Sequence, residues 1–268
     1  VRAGLRLHQL HQESETQRRL AEERHRQTEA ELIEATRYMR SLLPPPMGAP
    51  LAIDFRYLPS HHLGGDCLDY FWLAPDQLAM YLMDVSGHGV GATLLAITVL
   101  HVLRNRTFLG VDFSQPSAVL AALNHHFPMT HHGKYLTIWY GLYNRQSGQL
   151  TYASAGHPPG MLLIPGETTA DPPSLRPLKT RGFPIGLFPE ASYQQADCEV
   201  PKGSILYLFS DGIYDFPLST GATCGLEGFT TLVQASQSLP LDDLLALLRE
   251  HSVDHQFMDD LSLMQICL

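Results

Sequence analysis

Leu78-Ala79-Met80-Tyr81-Leu82-Met83-Asp84-Val85-Ser86-Gly87-His88-Gly89 decides the fold class, because an apolar run ends there on an acid and then on glycines. Residues 78–85 read as a strand, and a second strand at 69–73 precedes it across a Pro75-Asp76 turn, proline and aspartate both favouring turn dihedrals. After the glycines a helical pattern fills 90–106. Working outward, 51–58 alternates as a strand does, and 135–143 is apolar on both faces, as befits a strand buried in a sandwich. Asn144 to Gly148 forms a hairpin turn into a strand at 149–153, and 161–164, 193–200, 205–210 and 261–268 add four more strand patterns. Helices are expected over 116–126, 226–236 and 241–253, and 168–181, rich in proline and threonine, reads as an exposed loop. Antiparallel strands in succession, mixed with helices, favour an α+β architecture over a parallel βαβ series.

Acidic segments recur beside these apolar runs: Gly64-Gly65-Asp66, Met83-Asp84-Val85-Ser86-Gly87, Phe209-Ser210-Asp211-Gly212 and Met258-Asp259-Asp260-Leu261. One aspartate at a strand end is ordinarily a turn former, since its side chain bonds nearby backbone N–H groups. Four of them, each with glycine or a second acid beside it, point to one metal site. Mg²⁺ and Mn²⁺ prefer oxygen ligands and retain waters, so few carboxylates suffice for two ions. Asp66, Asp84, Asp211 and Asp259 are the candidate ligands. Two ions about 3.5–4 Å apart lower the pKa of a bridging water and neutralise phosphoryl oxygens, which suits phosphate-ester hydrolysis without a phospho-enzyme. That these distant strand ends converge is an inference, because periodicity does not supply it.

Length and composition bound the alternatives. A chain of 268 residues suits one large domain with an appendage and buries a sizeable core. A formal charge of −9 argues against a phosphate-neutralising surface for nucleic acid. The four cysteines are far apart, with no Cys-x-x-Cys, and read as buried thiols of a reducing, cytoplasmic setting. Apolar stretches fall short of the roughly 20 residues a spanning helix needs, and the first ten residues carry no secretory pattern. No membrane association is expected.

Residues 1–43 lack proline, contain one glycine, and are dominated by Gln, Glu, Arg, Ala and Leu, so one long helix is expected. Leu5, Leu10, Leu20, Leu32, Met39 and Leu42 form an interrupted apolar stripe that is thin between Leu10 and Leu32. A solvated charged helix is one reading, and a weak parallel dimeric coiled coil, giving a homodimer through 1–43, is the other. Pro44-Pro45-Pro46 ends the helix and sets a boundary before a second domain over 44–268.

Five ordered motifs carry a family resemblance: Gly64-Gly65-Asp66-Cys67-Leu68-Asp69-Tyr70-Phe71, Asp84-Val85-Ser86-Gly87-His88-Gly89, Ala153-Ser154-Ala155-Gly156-His157-Pro158-Pro159, Ser210-Asp211-Gly212 and Asp259-Asp260-Leu261-Ser262-Leu263. Over about 39–268 the chain resembles the bacterial PP2C-type (PPM) serine/threonine phosphatases of the SpoIIE/RsbU branch. The resemblance implies an αββα sandwich of two antiparallel sheets flanked by helices, behind a long N-terminal helix. It implies two Mn²⁺ or Mg²⁺ ions held by Asp66, Asp84, the backbone carbonyl of Val85, Asp211 and Asp259, with Asp260 in a supporting or turn role. The substrate it implies is phosphoserine or phosphothreonine on an anti-sigma-factor antagonist of STAS fold, attacked by a metal-activated water. An upstream sensor or receiver domain, as in a two-component response regulator, would join through the helix.

Departures from the branch leave the ligands in place. Met83 stands where glycine is frequent, and Cys67 and Leu68 stand where aromatics are frequent. Val85 replaces the glycine of many eukaryotic relatives, and the arginine that grips phosphate in those proteins has no counterpart before Asp66. The phosphate-holding group is therefore open.

Fourteen histidines invite a zinc reading, but His61-His62, His125-His126 and His131-His132 are adjacent pairs, and sequence neighbours rarely share one ion. They read as surface or loop residues. His88 and His157 have acid-catalyst or structural readings. Gly87-His88-Gly89 lacks the lysine of a P-loop, and Asp242 and Asp243 suit the positive end of their helix. Two function classes follow: a metal-dependent phosphatase, or a signalling module inactive alone whose output is dimerisation or partner capture. Retention of all four carboxylates favours the enzyme.

Overall fold

The apolar run that ends on Asp84 forms β3 (Gln77–Val85), which pairs antiparallel with β2 (Cys67–Ala74) and with β4 (Leu136–Asn144). β5 (Gln149–Ala155) and β8 (Gln195–Glu199) complete one five-stranded sheet in the order β2-β3-β4-β5-β8. The second sheet comprises β1 (Ala52–Leu58), β6 (Gly160–Ile164), β7 (Ser174–Leu178), β9 (Ile205–Phe209) and β10 (Leu261–Cys267), in the order β1-β10-β9-β6-β7. Every pairing within both sheets is antiparallel. This computed structural model describes residues 2–60, 63–166, 168, 171–218, 222–236, 239–253, 257 and 259–268.

Alternation explains the layers. On β3, Leu78, Met80 and Leu82 face the opposing sheet, where they join Ile53, Leu162, Leu206, Leu208, Met264 and Ile266 in the inter-sheet core. Trp139 of β4 lies in the same core, stacks on Tyr152 with ring centroids 5.6 Å apart, and donates its indole N–H to the Leu178 carbonyl at 2.9 Å. The intervening residues of β3, Ala79, Tyr81 and Met83, are buried on the outer face. There α2 (Val90–Asn105) packs, burying Ala92, Leu95, Ala96, Val99 and Leu103 at i, i+3, i+4 spacing. α3 (Pro116–His126) covers β4 and β5, and a short α4 (Met129–His132) follows it. On the other sheet, Tyr207, Phe209 and Leu263 pack with Phe229 of α5 (Gly225–Ala235) and with Leu244, Leu245 and Leu248 of α6 (Leu241–His251). The result is an αββα sandwich.

α1 (Arg2–Leu42) is one unbroken helix of 41 residues carrying an i,i+4 Arg18–Glu22 pair at 2.8 Å. The chain divides into compact units at Val1–Leu42 and Leu43–Leu268. Among the described residues, no helix is long and apolar enough to cross a membrane.

Three expectations need correction. The segment 168–181 is not wholly loop, since Ser174–Leu178 forms β7 and pairs with β6 at the sheet edge. Pro177 obscures it, and an edge position is where a strand tolerates a residue without an N–H. The thiols are not all buried, because Cys198 is half-buried and Cys267 exposed. Asp242 is more than a helix-end charge, for its two carboxylate oxygens accept from Arg56 Nε and Nη2 at 2.6 and 2.7 Å. His61 and His62 lie outside the described residues.

Candidate active site

Strand register brings the acids together. Asp66 immediately precedes Cys67, which pairs with Met83, the neighbour of Asp84, so Asp66 and Asp84 leave the first sheet at the same end. Phe209 pairs with Leu263 in the second sheet, which puts Asp211 just past the end of β9 and Asp259 just before the start of β10. β2 and β3 meet β10 and β9 across the sandwich. Asp66, Asp84, Asp211 and Asp259, which are separated by up to nearly the whole sandwich sequence, therefore share one end of it.

Within this end the inner half is buried. Asp66 is 1% exposed, and Ser210 Oγ donates to its Oδ2 at 2.6 Å while Oδ1 has no hydrogen-bond partner. Ser210 Oγ in turn accepts the Ser262 N–H at 2.9 Å. Asp260 organises the floor: Oδ1 accepts from the Ser60 N–H and hydroxyl at 2.8 and 2.9 Å, and Oδ2 accepts the Gly65 N–H at 2.8 Å. The glycines are required by close approach, because a Cβ on Gly64 would lie 2.4 Å from Asp260 Oδ2 and one on Gly65 2.3 Å from the Val85 carbonyl oxygen. Nearly all real Cβ contacts are longer.

The outer half opens into a cavity of about 220 Å³ lined by Asp84, Asp211, Thr137, His157, Lys179 and Tyr214, among others. Burial, then the charges of Asp211, Asp259 and Asp260, push the Asp84 carboxyl up to about 7. Burial and then the charge of Asp84 raise Asp66 well above the usual carboxylate range, against the hydroxyls of Ser210 and Ser262. Burial and then Asp259 raise Asp211. Such mutual repulsion is the electrostatic signature of carboxylates lacking their counter-charge.

His157 is buried, and its Nδ1 lies 2.8 Å from Thr137 Oγ1. Burial lowers the imidazole to about 3, with the Phe209 backbone opposing, so the ring is neutral at pH 7 and is a poor proton donor. His88 is exposed.

Oxygen donors, an orphaned buried carboxylate oxygen and a backbone carbonyl cradled against glycine fit a hard divalent cation. Among the described residues no group of three or more His, Cys, Asp or Glu side chains is arranged to hold an ion by itself. A site for Mg²⁺-like ions fits that spacing, since such ions take one or two carboxylates each and complete their shells with water.

An αββα sandwich with clustered acids at one sheet end is the PP2C class of fold. The chain belongs to the SpoIIE family: the family model described as Stage II sporulation protein E matches residues 74–268. A Bacillus subtilis relative, phosphoserine phosphatase RsbU, is 28% identical over 167 residues, covering 61% of this chain and 47% of that protein. The chain thus spans about half the length of that curated relative. The SiaA-PP2C domain of Pseudomonas aeruginosa superposes with a TM-score of 0.76 at 20% identity, covering 91% of this chain and 98% of the other. The RsbU and RsbW domains of Rv1364c from Mycobacterium tuberculosis give a TM-score of 0.65 at 25% identity, over 84% of this chain and 61% of the other.

The sequence singled out Asp66, Asp84, Val85, Asp211 and Asp259, and the structure places all of them at one end of the sandwich. It missed the contribution of Ser210, whose hydroxyl donates to Asp66, and of Ser262, whose N–H donates to that hydroxyl oxygen, and it assigned nothing to Lys179. Both serines sit inside the acidic motifs, so the signal was their position beside the acids.

Proposed function

We propose that this chain is a metal-dependent protein serine/threonine phosphatase that hydrolyses phosphoserine or phosphothreonine on a regulatory partner protein. The observation that carries the reading is the buried Asp66 carboxylate with an orphaned oxygen, set among Asp84, Asp211 and Asp259 in a SpoIIE-family sandwich. Asp66, Asp84, the Val85 carbonyl, Asp211 and Asp259 would hold two Mn²⁺ or Mg²⁺ ions. When bound, the ions supply Lewis acidity, lowering the pKa of water and neutralising phosphoryl oxygens. The protein's part is positional. Asp260 pins the Gly65 backbone, Ser210, held in turn by the Ser262 N–H, orients Asp66, and the walls of the 220 Å³ cavity limit the size of the group that enters.

The partner class is supported by a relative named RsbU, and by a neighbour described as carrying RsbU and RsbW domains. A phosphorylated anti-sigma-factor antagonist of STAS fold is the substrate we infer, in the cytoplasm. Residues 1–43 would join an upstream sensor or receiver domain and pair as a coiled-coil homodimer, with 44–268 as the phosphatase domain. The second reading is a signalling module that is inactive alone and whose output is dimerisation or partner capture.

The test is phosphate release from p-nitrophenyl phosphate and a phosphoserine peptide with Mn²⁺, Mg²⁺ or EDTA. Metal-dependent turnover that vanishes in Asp84→Asn and Asp211→Asn is expected. A folded protein that is silent with every metal shifts the reading to the module.

A further inference from the structure

Lys179 stands where two cavities meet. It lines the 220 Å³ acidic cavity, and it also lines a neighbouring groove of about 730 Å³ together with Gly156, Thr180, Arg181, Gly182 and Phe183. In the acidic cavity it is the cationic lining side chain among the described residues, since His157 is neutral. No ion pair engages Lys179 or Arg181 among the described residues. Lys134, near the acidic loop as well, already donates its amine to the Ser86 carbonyl at 3.1 Å.

The backbone around Lys179 is stitched to the sandwich. On one side the Leu178 carbonyl accepts the Trp139 indole N–H at 2.9 Å. On the other, Thr180 Oγ1 accepts the Ser154 N–H at 2.8 Å, and the Gly182 carbonyl accepts the Gly156 N–H at 2.9 Å. Lys179 is exposed on this fixed base and lines both cavities. Beyond it, Phe183 and Phe188, 58% and 48% exposed, pack edge to face with ring centroids 4.8 Å apart and leave an apolar lip.

We propose that Lys179 holds the phosphoryl group of the substrate, and that the adjoining groove, with Arg181 and the Phe183 ring, receives the polypeptide on either side of the phosphorylated residue. This rests on the phosphatase reading. A phosphoryl dianion entering a cavity walled by Asp84 and Asp211 is repelled by any carboxylate charge left uncompensated. One ammonium at the mouth offsets that repulsion and donates up to three hydrogen bonds to phosphoryl oxygens. The groove extends away from the acids, which gives the flanking polypeptide a path that a small aryl phosphate has no need of.

The experiment compares the native chain with Lys179→Met, Lys179→Arg and the double variant Arg181→Met/Phe183→Ser. It measures kcat and KM for p-nitrophenyl phosphate and a phosphoserine peptide with Mn²⁺, and binding of inorganic phosphate by titration calorimetry in Mn²⁺. Without the charge-assisted hydrogen bonds of the amine, Lys179→Met should show kcat/KM for both substrates, and phosphate binding, lowered by about tenfold to a hundredfold, with Lys179→Arg recovering most of the deficit. Manganese affinity, read by electron paramagnetic resonance, should stay within about twofold, since an amine does not ligate in this site. The double variant should reduce the ratio of peptide to aryl-phosphate kcat/KM by about fivefold, as befits a groove stripped of one charged and one aromatic side chain.

Native turnover with unchanged phosphate binding in Lys179→Met overturns the assignment. So does a native chain that binds no phosphate in Mn²⁺. A native chain that is inactive, yet binds phosphate only with Lys179 present, removes the phosphatase reading and retains the anion site.

Discussion

Asp66 and Asp69 lie three residues apart at the start of β2, each 1% exposed, and they have opposite fates. Asp69 lies beneath α2, where Arg104 Nε donates to its Oδ2 at 2.7 Å and the Tyr70 N–H to its Oδ1 at 2.8 Å. Asp66 faces the end of the sandwich, with a serine hydroxyl on one oxygen and nothing on the other. Burial raises the pKa of both, but Arg104 opposes the rise at Asp69, whereas the charge of Asp84 adds to it at Asp66. The fold thus supplies a cation to one buried carboxylate and, among the described residues, none to the other. A buried acid is evidence of a site only when its neighbours repel it.

The comparison breaks most visibly at the level of activity. Asp66→Asn should lower Mn²⁺-dependent phosphate release by about a thousandfold or more, because several kcal/mol of charge stabilisation depend on the ions. Asp69→Asn should leave turnover per folded molecule within about threefold, since its carboxylate serves an arginine and not the site. Similar losses in both variants would erase the distinction.

Stability sharpens it next. Arg104→Leu leaves Asp69 buried without its partner and should cost about 3 kcal/mol, at the low end for a buried pair because Arg104 is a third exposed. Urea unfolding reads this, and Mn²⁺ affinity should not change. In EDTA, Asp66→Asn should instead stabilise the chain by about 1 kcal/mol once the pH is high enough to ionise Asp66, since the fold disfavours that buried charge. A destabilised Asp66→Asn in EDTA would mean that Asp66 already has its counter-charge within the protein.

The smallest effect is a pH slope. Asp84 is raised from 3.8 to about 7 in the folded chain, so the folded state binds more protons than the unfolded state between those values. Stability therefore declines as pH rises through that window, and the decline is complete above about 7. Metal-free protein should melt a few degrees lower at pH 8 than at pH 5.5, about 2–4 °C for each kcal/mol lost in a domain of this size. Saturating Mn²⁺ should flatten the slope, because the ions hold the carboxylates ionised.

Much of this contrast was legible in the sequence, and the part that was not has a physical reason. Leu78 to Val85 announces a strand by its apolar run, and its partner at 69–73 lies across a proline turn, so both were readable from local pattern. Asp66 and Asp211 were recognisable by the glycines beside them, and Gly65 proves to be needed for its approach to the Val85 carbonyl. Asp66 and Asp69, however, occur in one motif, Gly65-Asp66-Cys67-Leu68-Asp69, and nothing local says which receives an arginine from residue 104. Nor does local pattern reveal that Asp260, a bland second acid, would clamp Ser60 and Gly65 from about two hundred residues away. β7 was hidden by Pro177, and Lys179 with it, because its value lies in the strand end that presents it.

The pairing of β1 with β10 carries a kinetic consequence. Ala52 stands opposite Cys267 and Leu58 opposite Leu261, so this edge of the sandwich joins the earliest and latest strands of the unit. Hairpins such as β2–β3 and β4–β5 close over short loops soon after leaving the ribosome, whereas β1 must wait for β10. Asp259, Asp260 and Ser262 arrive with that last strand. A growing chain that has not yet made β10 would therefore hold a half-built sandwich and an incomplete acid cluster.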